Sequence, residues 1–461
     1  MHSPSPATLA GLANNTACPD DVLLRLLTVP DDTVIRAVAK RRKLSQPVIE
    51  AILTHPERSV RAAFAENAYA DPKQRARLMD DPSPRVHLAL AMGPLPDGYA
   101  PIRPLPDHVY PRLLAHPREL IRSETLGSPS IPPHVLAALW EHEDPAFRQA
   151  ACRAWHACSD TARQALLNDP DPEVRQTALL SLPHPDAEQT ARLLAELDGH
   201  WKLSGLLNRA ALSRDLAERL ITDSENHIEL AGNPTLPADL VELLATSPDP
   251  HVRLLVSARP ELSEDRRMRI DHHIAPEQRL PPLTWVREGQ QDPELLRRCA
   301  TSAHLWLRRS AAACPALPAD LIDRLAADED FAVRFLLAEN QPQAPARLLL
   351  EVYLTSTHRA ADLLVRHPNF PRENLAARFC KDPDPVHRRL AFLDPDLDGP
   401  QLEALSRDPH TRDQAAADVR MSLPRLRQLL AAPATSAAAA ANPGLPPADM
   451  RALLDRAAAP R

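Results

Sequence analysis

Three stretches of the chain carry the same succession of polar and apolar positions: 168–183 (NDPDPEVRQTALLSLP), 247–270 (SPDPHVRLLVSARPELSEDRRMRI) and 327–341 (ADEDFAVRFLLAENQ). Each has an acid, a short amphipathic run opening on Val-Arg, and a turn. Val252, Leu255 and Val256, like Val333, Leu336 and Leu337, have the i, i+3, i+4 spacing of one helical face. With the Arg of Val-Arg as reference, the pattern runs through Ile35, Arg61, His87, Arg122, Arg148, Arg175, Lys202, His227, Arg253, Arg308, Arg334, Ala361, Arg388, Arg412 and Ser436, mostly in steps of 24–27 residues. The step from 87 to 122 is about ten residues too long for one unit, and the step from 253 to 308 hides a degenerate unit.

One unit predicts two short helices. An acid stands four residues before the reference position at Asp31, Asp144, Asp171, Asp198, Asp223, Asp249, Asp330, Asp384 and Asp408. Asp-Pro, as at Asp171-Pro172, supplies an N-cap acceptor followed by a residue whose φ suits the first helical turn. Asn233-Pro234, Arg259-Pro260 and Asn442-Pro443 end the first helix. A second, leucine-rich helix then opens on proline or serine, as at Pro237, Pro318 and Ser263. Two average helices need about 22–24 residues, so both must be short here, and one can be 3₁₀. Neither buries its apolar face alone, so units must stack into a solenoid. At about 8–10 Å per helix layer, some sixteen units predict a curved rod on the order of 150 Å long. The expected divisions are an N-terminal cap (1–29), a repeat array (30–273) with a Pro-rich insertion near 92–111, an irregular or degenerate unit (274–292), and a second array with its cap (293–461).

The recurring pattern Asp-Pro-x-Val-Arg … Asn-Pro-x-Leu-Pro-x-x-Leu, clearest in 231–270, 312–342 and 433–456, resembles the leucine-rich repeat variant family, relatives of HEAT-type α-solenoids. The resemblance implies an all-α, right-handed superhelix of α helices alternating with short or 3₁₀ helices. Some members carry an N-terminal cysteine-rich iron–sulfur segment; here only Cys18 is available, so no cluster is expected.

Composition narrows the chemistry. Fifty prolines and ten glycines among 461 residues break up long helices and leave no glycine-rich phosphate loop. No catalytic motif stands out, and no cofactor is expected. The six cysteines are scattered without framework spacing, which points to a reducing, cytoplasmic setting, and no run is long enough to span a membrane. With 54 Lys and Arg against 61 Asp and Glu, the net charge of −7 argues against general nucleic-acid affinity.

The arginines at the reference position (Arg61, Arg122, Arg148, Arg175, Arg253, Arg308, Arg334, Arg388, Arg412) can be read as a cationic stripe for phosphates. They can equally be structural, each held in a fork by an acid four residues earlier in its own or a neighbouring unit (Asp144, Asp171, Asp249, Asp330, Asp384, Asp408). The structural reading is preferred because acid and base recur together. Candidate interaction residues are the basic run Lys40-Arg41-Arg42-Lys43, together with Tyr99, Tyr110 and Trp285 in the two irregular stretches. Cys152, His156 and Cys158 offer soft ligands, but a closed zinc site needs a fourth, and Asp271-His272-His273 lacks a metal framework, so no metal is expected. The expected function is a protein-binding scaffold; the alternative is a HEAT-like nucleic-acid binder or DNA-repair glycosylase, for which Trp140, Asp144 and Arg148 were the only approximation to a base-recognition group. The expected partner is another protein, with no membrane involved.

Overall fold

A computed structural model describes residues 3–94, 102–196, 206–222, 226–356 and 361–458. The described residues are all-α in a repeat-like succession of short helices, without a strand among them. The pieces expected from the pattern form where capping and proline placement favour them. Asp31 accepts from the Thr33 and Val34 amides at 3.0 and 3.2 Å, and Asp249 from His251 at 2.8 Å. Pro250 then occupies the first turn of the helix Pro250–Ser257. Most second helices are α as well, such as Ala238–Ala245 and Ala319–Ala326. The 3₁₀ conformation occurs in short pieces: Arg77–Asp80 and Ala138–Glu141 tighten the last turn of a helix, Asp107–Val109 leads into one, and Trp155–Ala157 stands between two.

Contacts divide the chain into two compact units: Met1–Val174 together with Arg372–Arg461, and Arg175–Pro371. In the first, the helices Pro6–Asn14, Asp32–Ala39, Arg58–Ala65, Pro84–Met92 and Glu119–Gly127 pack each on the next. Val34, Val38, Val60, Phe64 and Val86 are fully buried between them and the second helices. On its other side Pro6–Asn14 packs against Ser436–Ala440, and Asp20–Leu26 against Pro447–Ala458. The first and last helical pairs of this unit therefore touch. The helix faces of residues 6–26 and 436–458 are apolar, and each covers the other from water.

The second unit builds its core from Leu230, Leu244, Val252, Val256 and Ile270, around His227–Ala231, Ala238–Ala245 and Pro250–Ser257. Within the irregular stretch 274–292 a single five-residue helix, Thr284–Glu288, packs on Leu305–Ala312, with Val286 fully buried. Pro293–Thr301 follows as its second helix.

Candidate interaction groove

Two sets of side chains fasten each turn to its neighbour, and they account for most of the recurring cations. Between a second helix and the next first helix, the guanidinium at the reference position donates Nη1 to the carbonyls six and five residues upstream. This holds for Arg61, Arg122, Arg148, Arg253, Arg308, Arg334 and Arg388. The other edge of the fork meets a carboxylate of the following repeat: Arg61 with Asp81 (2.5 Å), Arg148 with Asp169 (2.7 Å), Arg308 with Asp328 (2.8 Å) and Arg388 with Asp408 (2.7 Å). Arg253 reaches the Asp271 carbonyl and carboxylate, and Arg334 lies 3.4 Å from Glu351. These pairs are bidentate or nearly so and mostly sheltered from water.

The acid four residues upstream takes the N-cap task expected of it, and mostly not the fork with the reference arginine. Asp144, Asp171, Asp249 and Asp384 accept from helix-opening amides as N-caps. Asp330 caps Val333 and also pairs with Arg309; burial works against its charge, yet those bonds hold its carboxyl below the usual range. Among the described residues Asp408 combines the upstream position with a fork from a reference-position arginine, Arg388 of the preceding repeat. Arg175 sits half-buried on Pro172–Ser181. Arg412 is half-buried as well, its Nε enclosed without an acceptor among the described residues.

At the opposite turn a buried asparagine bridges to two carbonyls of the previous repeat. Asn67 Nδ2 donates to Ala39 and Arg41 at 2.9 Å each, Asn233 to Leu207 and Ala210, and Asn442 to Ala416 and Asp418. Elsewhere arginine takes over, as Arg259 does with Ala231 and Arg420 with Phe392 and Asp394. Sequence reading took the Asn-Pro turns as chain terminators and missed the side-chain bridge. The visible signal was the regular return of Asn, or Arg in its place, at one phase of the repeat.

The basic run at 40–43 falls at this turn and divides. Arg41 is half-buried and donates Nη1 to Ala13 O and Asn15 O, so it is a bridge and not a free cation. Lys40 pairs with Glu66 at 3.2 Å, and Arg42 lies over the Tyr69 ring, 4.8 Å from its centroid. Lys43 is exposed. These residues border a groove formed by two adjoining clefts of about 250 and 200 Å³ that share Glu66 and Met92. Arg36 and Arg85 flank the second cleft, and Met92 at its rim is 43% exposed. Gly93, with φ of 68°, ends the helix in the left-handed region where a side chain is disfavoured. No carboxylate among the described residues pairs with Arg42, Lys43 or Arg85.

Tyr110 is buried, its hydroxyl donating to Ser130 O and accepting from Leu105 N–H, both at 3.1 Å, so it packs the core and offers no contact surface. This corrects its expected role: the chain leaving the insertion needs an internal anchor, and an amphipathic tyrosine supplies one. Arg75, 1% exposed, helps by joining the Ala65 and Arg103 carbonyls, and burial brings its pKa down to about 10. In the other unit Trp285 is half-buried and donates Nε1 to Ala258 O at 3.2 Å. Tyr99, Trp201, Lys202, Asp198 and Asp223 lie outside the described residues. Cys152 is buried and directed at the Arg148 carbonyl, whereas His156 is exposed, so they do not converge. Among the described residues no group of three or more His, Cys, Asp or Glu could hold a metal ion. Nor do Trp140, Asp144 and Arg148 gather around a pocket: Asp144 caps Ala146 and Arg148 forks Asp169. No helix among them is long and apolar enough to cross a membrane.

No family model matches the chain, and no curated protein does. Among solved structures, the chain is similar to an engineered protein, at 16% identity over 92% of this chain and 98% of that one, with a TM-score of 0.13.

Proposed function

We propose that the chain is a non-enzymatic protein-binding scaffold, a right-handed solenoid of about sixteen repeats of the leucine-rich repeat variant type. Its partner segment lies in the groove between Arg36 and Met92. What supports this reading above all is the engagement of the recurring arginines: in seven of the nine, Nη1 is taken by the protein's own carbonyls, and four of these also fork a carboxylate, which argues against a stripe for phosphates. The groove has the opposite character, with an exposed methionine, an aromatic ring under a guanidinium and, in Arg85, a cation with no carboxylate partner among the described residues. That mixture suits a peptide carrying apolar and acidic side chains.

The experiment is affinity capture from host lysate, with and without nuclease, comparing the wild type with Met92→Asp. The scaffold reading expects a defined set of proteins that survives nuclease and is lost from the variant. Recovery of nucleic acid, with the proteins lost on digestion, would overturn it in favour of a nucleic-acid binder.

A further inference from the structure

The contact between the first and last repeats repeats the geometry of an ordinary inter-repeat joint. Asn15 Nδ2 donates to Ala440 O at 3.0 Å and Asn442 O at 2.6 Å, the bridge that Asn67 makes to Ala39 and Arg41 and that Asn442 makes to Ala416 and Asp418. Beneath it the Thr8 and Ser436 hydroxyls meet at 2.8 Å in a buried contact. Gly11 lets the two backbones touch: a Cβ there would lie 2.1 Å from the Ala437 carbonyl oxygen. On the rim Arg25 pairs with Asp455 at 2.7 Å and Arg451 with Asp21 at 2.8 Å.

This joint differs from the interior ones in two respects. Its halves are more than 400 residues apart in sequence, so no short turn holds them together, and loop closure must be met by the contacts alone. It is also less completely filled: a cleft of about 810 Å³ opens beside it, lined by Thr8, Arg427, Ser436, Asp449 and Leu453 among others. Separating the halves would uncover Leu9, Leu12, Ala13, Ala439 and Ala440, all buried now, and leave the Asn15 amide without acceptors. The face on residues 6–26 complements the face on 436–458 and not itself, which makes the contact heterologous, the kind that joins identical chains head to tail.

We infer that this joint opens and re-forms between copies of the chain, so that the partner of the exposed edges is a second copy swapped in through the same contacts. The cis and trans forms share every bond, and the balance between them is set by concentration against the effective concentration of the tethered halves. Dilute protein keeps the joint in cis; crowding moves it into trans. The inference does not depend on the groove at Met92.

The test uses full-length protein in a Cys380→Ser background, which removes the one cysteine that is not buried. The hydroxyl contact brings positions 8 and 436 within reach of one another, so the double variant Thr8→Cys/Ser436→Cys should form an intrachain disulfide. Mixing the two single variants should give a disulfide-linked dimer whose yield rises with concentration and falls several-fold when Gly11→Val is added to both, because the added side chain meets the Ala437 carbonyl in trans as it does in cis. Helicity by circular dichroism confirms that each variant is folded. Absence of the intrachain disulfide overturns the joint; an intrachain disulfide without any mixed dimer, or with a mixed-dimer yield that Gly11→Val leaves unchanged, overturns the exchange.

Discussion

Arg148→Ala removes one complete fastening. The side chain is 12% exposed and Asp169 5%, and the guanidinium donates to both carboxylate oxygens at 2.7 and 2.8 Å and to the His142 and Glu143 carbonyls at 2.9 Å each. Alanine leaves the Asp169 carboxylate enclosed, still accepting from the Asp171 amide but without its guanidinium, and breaking one partner out of a buried pair costs about 3–5 kcal/mol. Because the chain has two units, a single melting midpoint is not a clean free energy. The cost should instead be read from urea-dependent hydrogen exchange of the amides at 142–174, where opening should become easier by that amount. Arg148→Lys should recover part of it, since an ammonium keeps the charge but not the fork. Arg148→Met with Asp169→Asn should lose less than Arg148→Ala, because no charge is left stranded. A loss below about 1 kcal/mol would place the pair among solvated surface bridges and refute the reasoning.

Burial, with the charges of His272, Arg267 and Arg308, brings the His304 pKa down to about 3, while its Nε2 sits 2.9 Å from Ser257 Oγ. The folded pKa lies below the unfolded one of about 6.5, so the neutral ring's stabilisation is complete above that value and is lost as pH falls toward 3. The second unit's urea midpoint should therefore fall between pH 7 and 4, and less steeply in His304→Gln; equal slopes would contradict the assignment. Burial pushes the thiols of Cys152 and Cys299 up to about 12 and those of Cys18 and Cys314 up to about 11. Alkylation of native protein at pH 8, followed by peptide mapping, should modify Cys380 ahead of all others. Asn67→Ala leaves the Ala39 and Arg41 carbonyls without the side-chain donor, a cost of about 1–3 kcal/mol that local exchange around residues 39–67 should register.

The helical repeat was legible because its determinants are local: Asp-Pro caps, Val-Arg openings and leucine spacing all lie within one helix or turn. What binds repeat to repeat was only half legible. The arginines were visible as a series, but their carboxylate partners stand some twenty residues on, at Asp81, Asp169 and Asp328, where nothing in the local pattern separates a fork acceptor from a capping acid. The Asn bridge was hidden for the same reason, since its acceptors are backbone carbonyls that carry no residue signature. The contact of residues 6–26 with 436–458 depends on faces brought together from the two ends of the sequence. Of the interaction candidates, Lys40 and Arg42 reach an open groove, whereas Arg41 and Tyr110 are drawn inside by carbonyls that burial would otherwise leave unsatisfied.

The central claim is that the recurring cations serve the protein's own backbone and carboxylates. Its most direct test is a salt titration of duplex DNA binding, alongside Arg61→Ala, Arg148→Ala and Arg308→Ala. Counterion release makes log K fall with log salt in proportion to the number of phosphates contacted. The account predicts no measurable binding at about 0.15 M salt and no effect of the three variants on whatever weak binding appears at lower salt. Tight binding with a slope of several counterions, reduced by about one with each arginine removed, would contradict it.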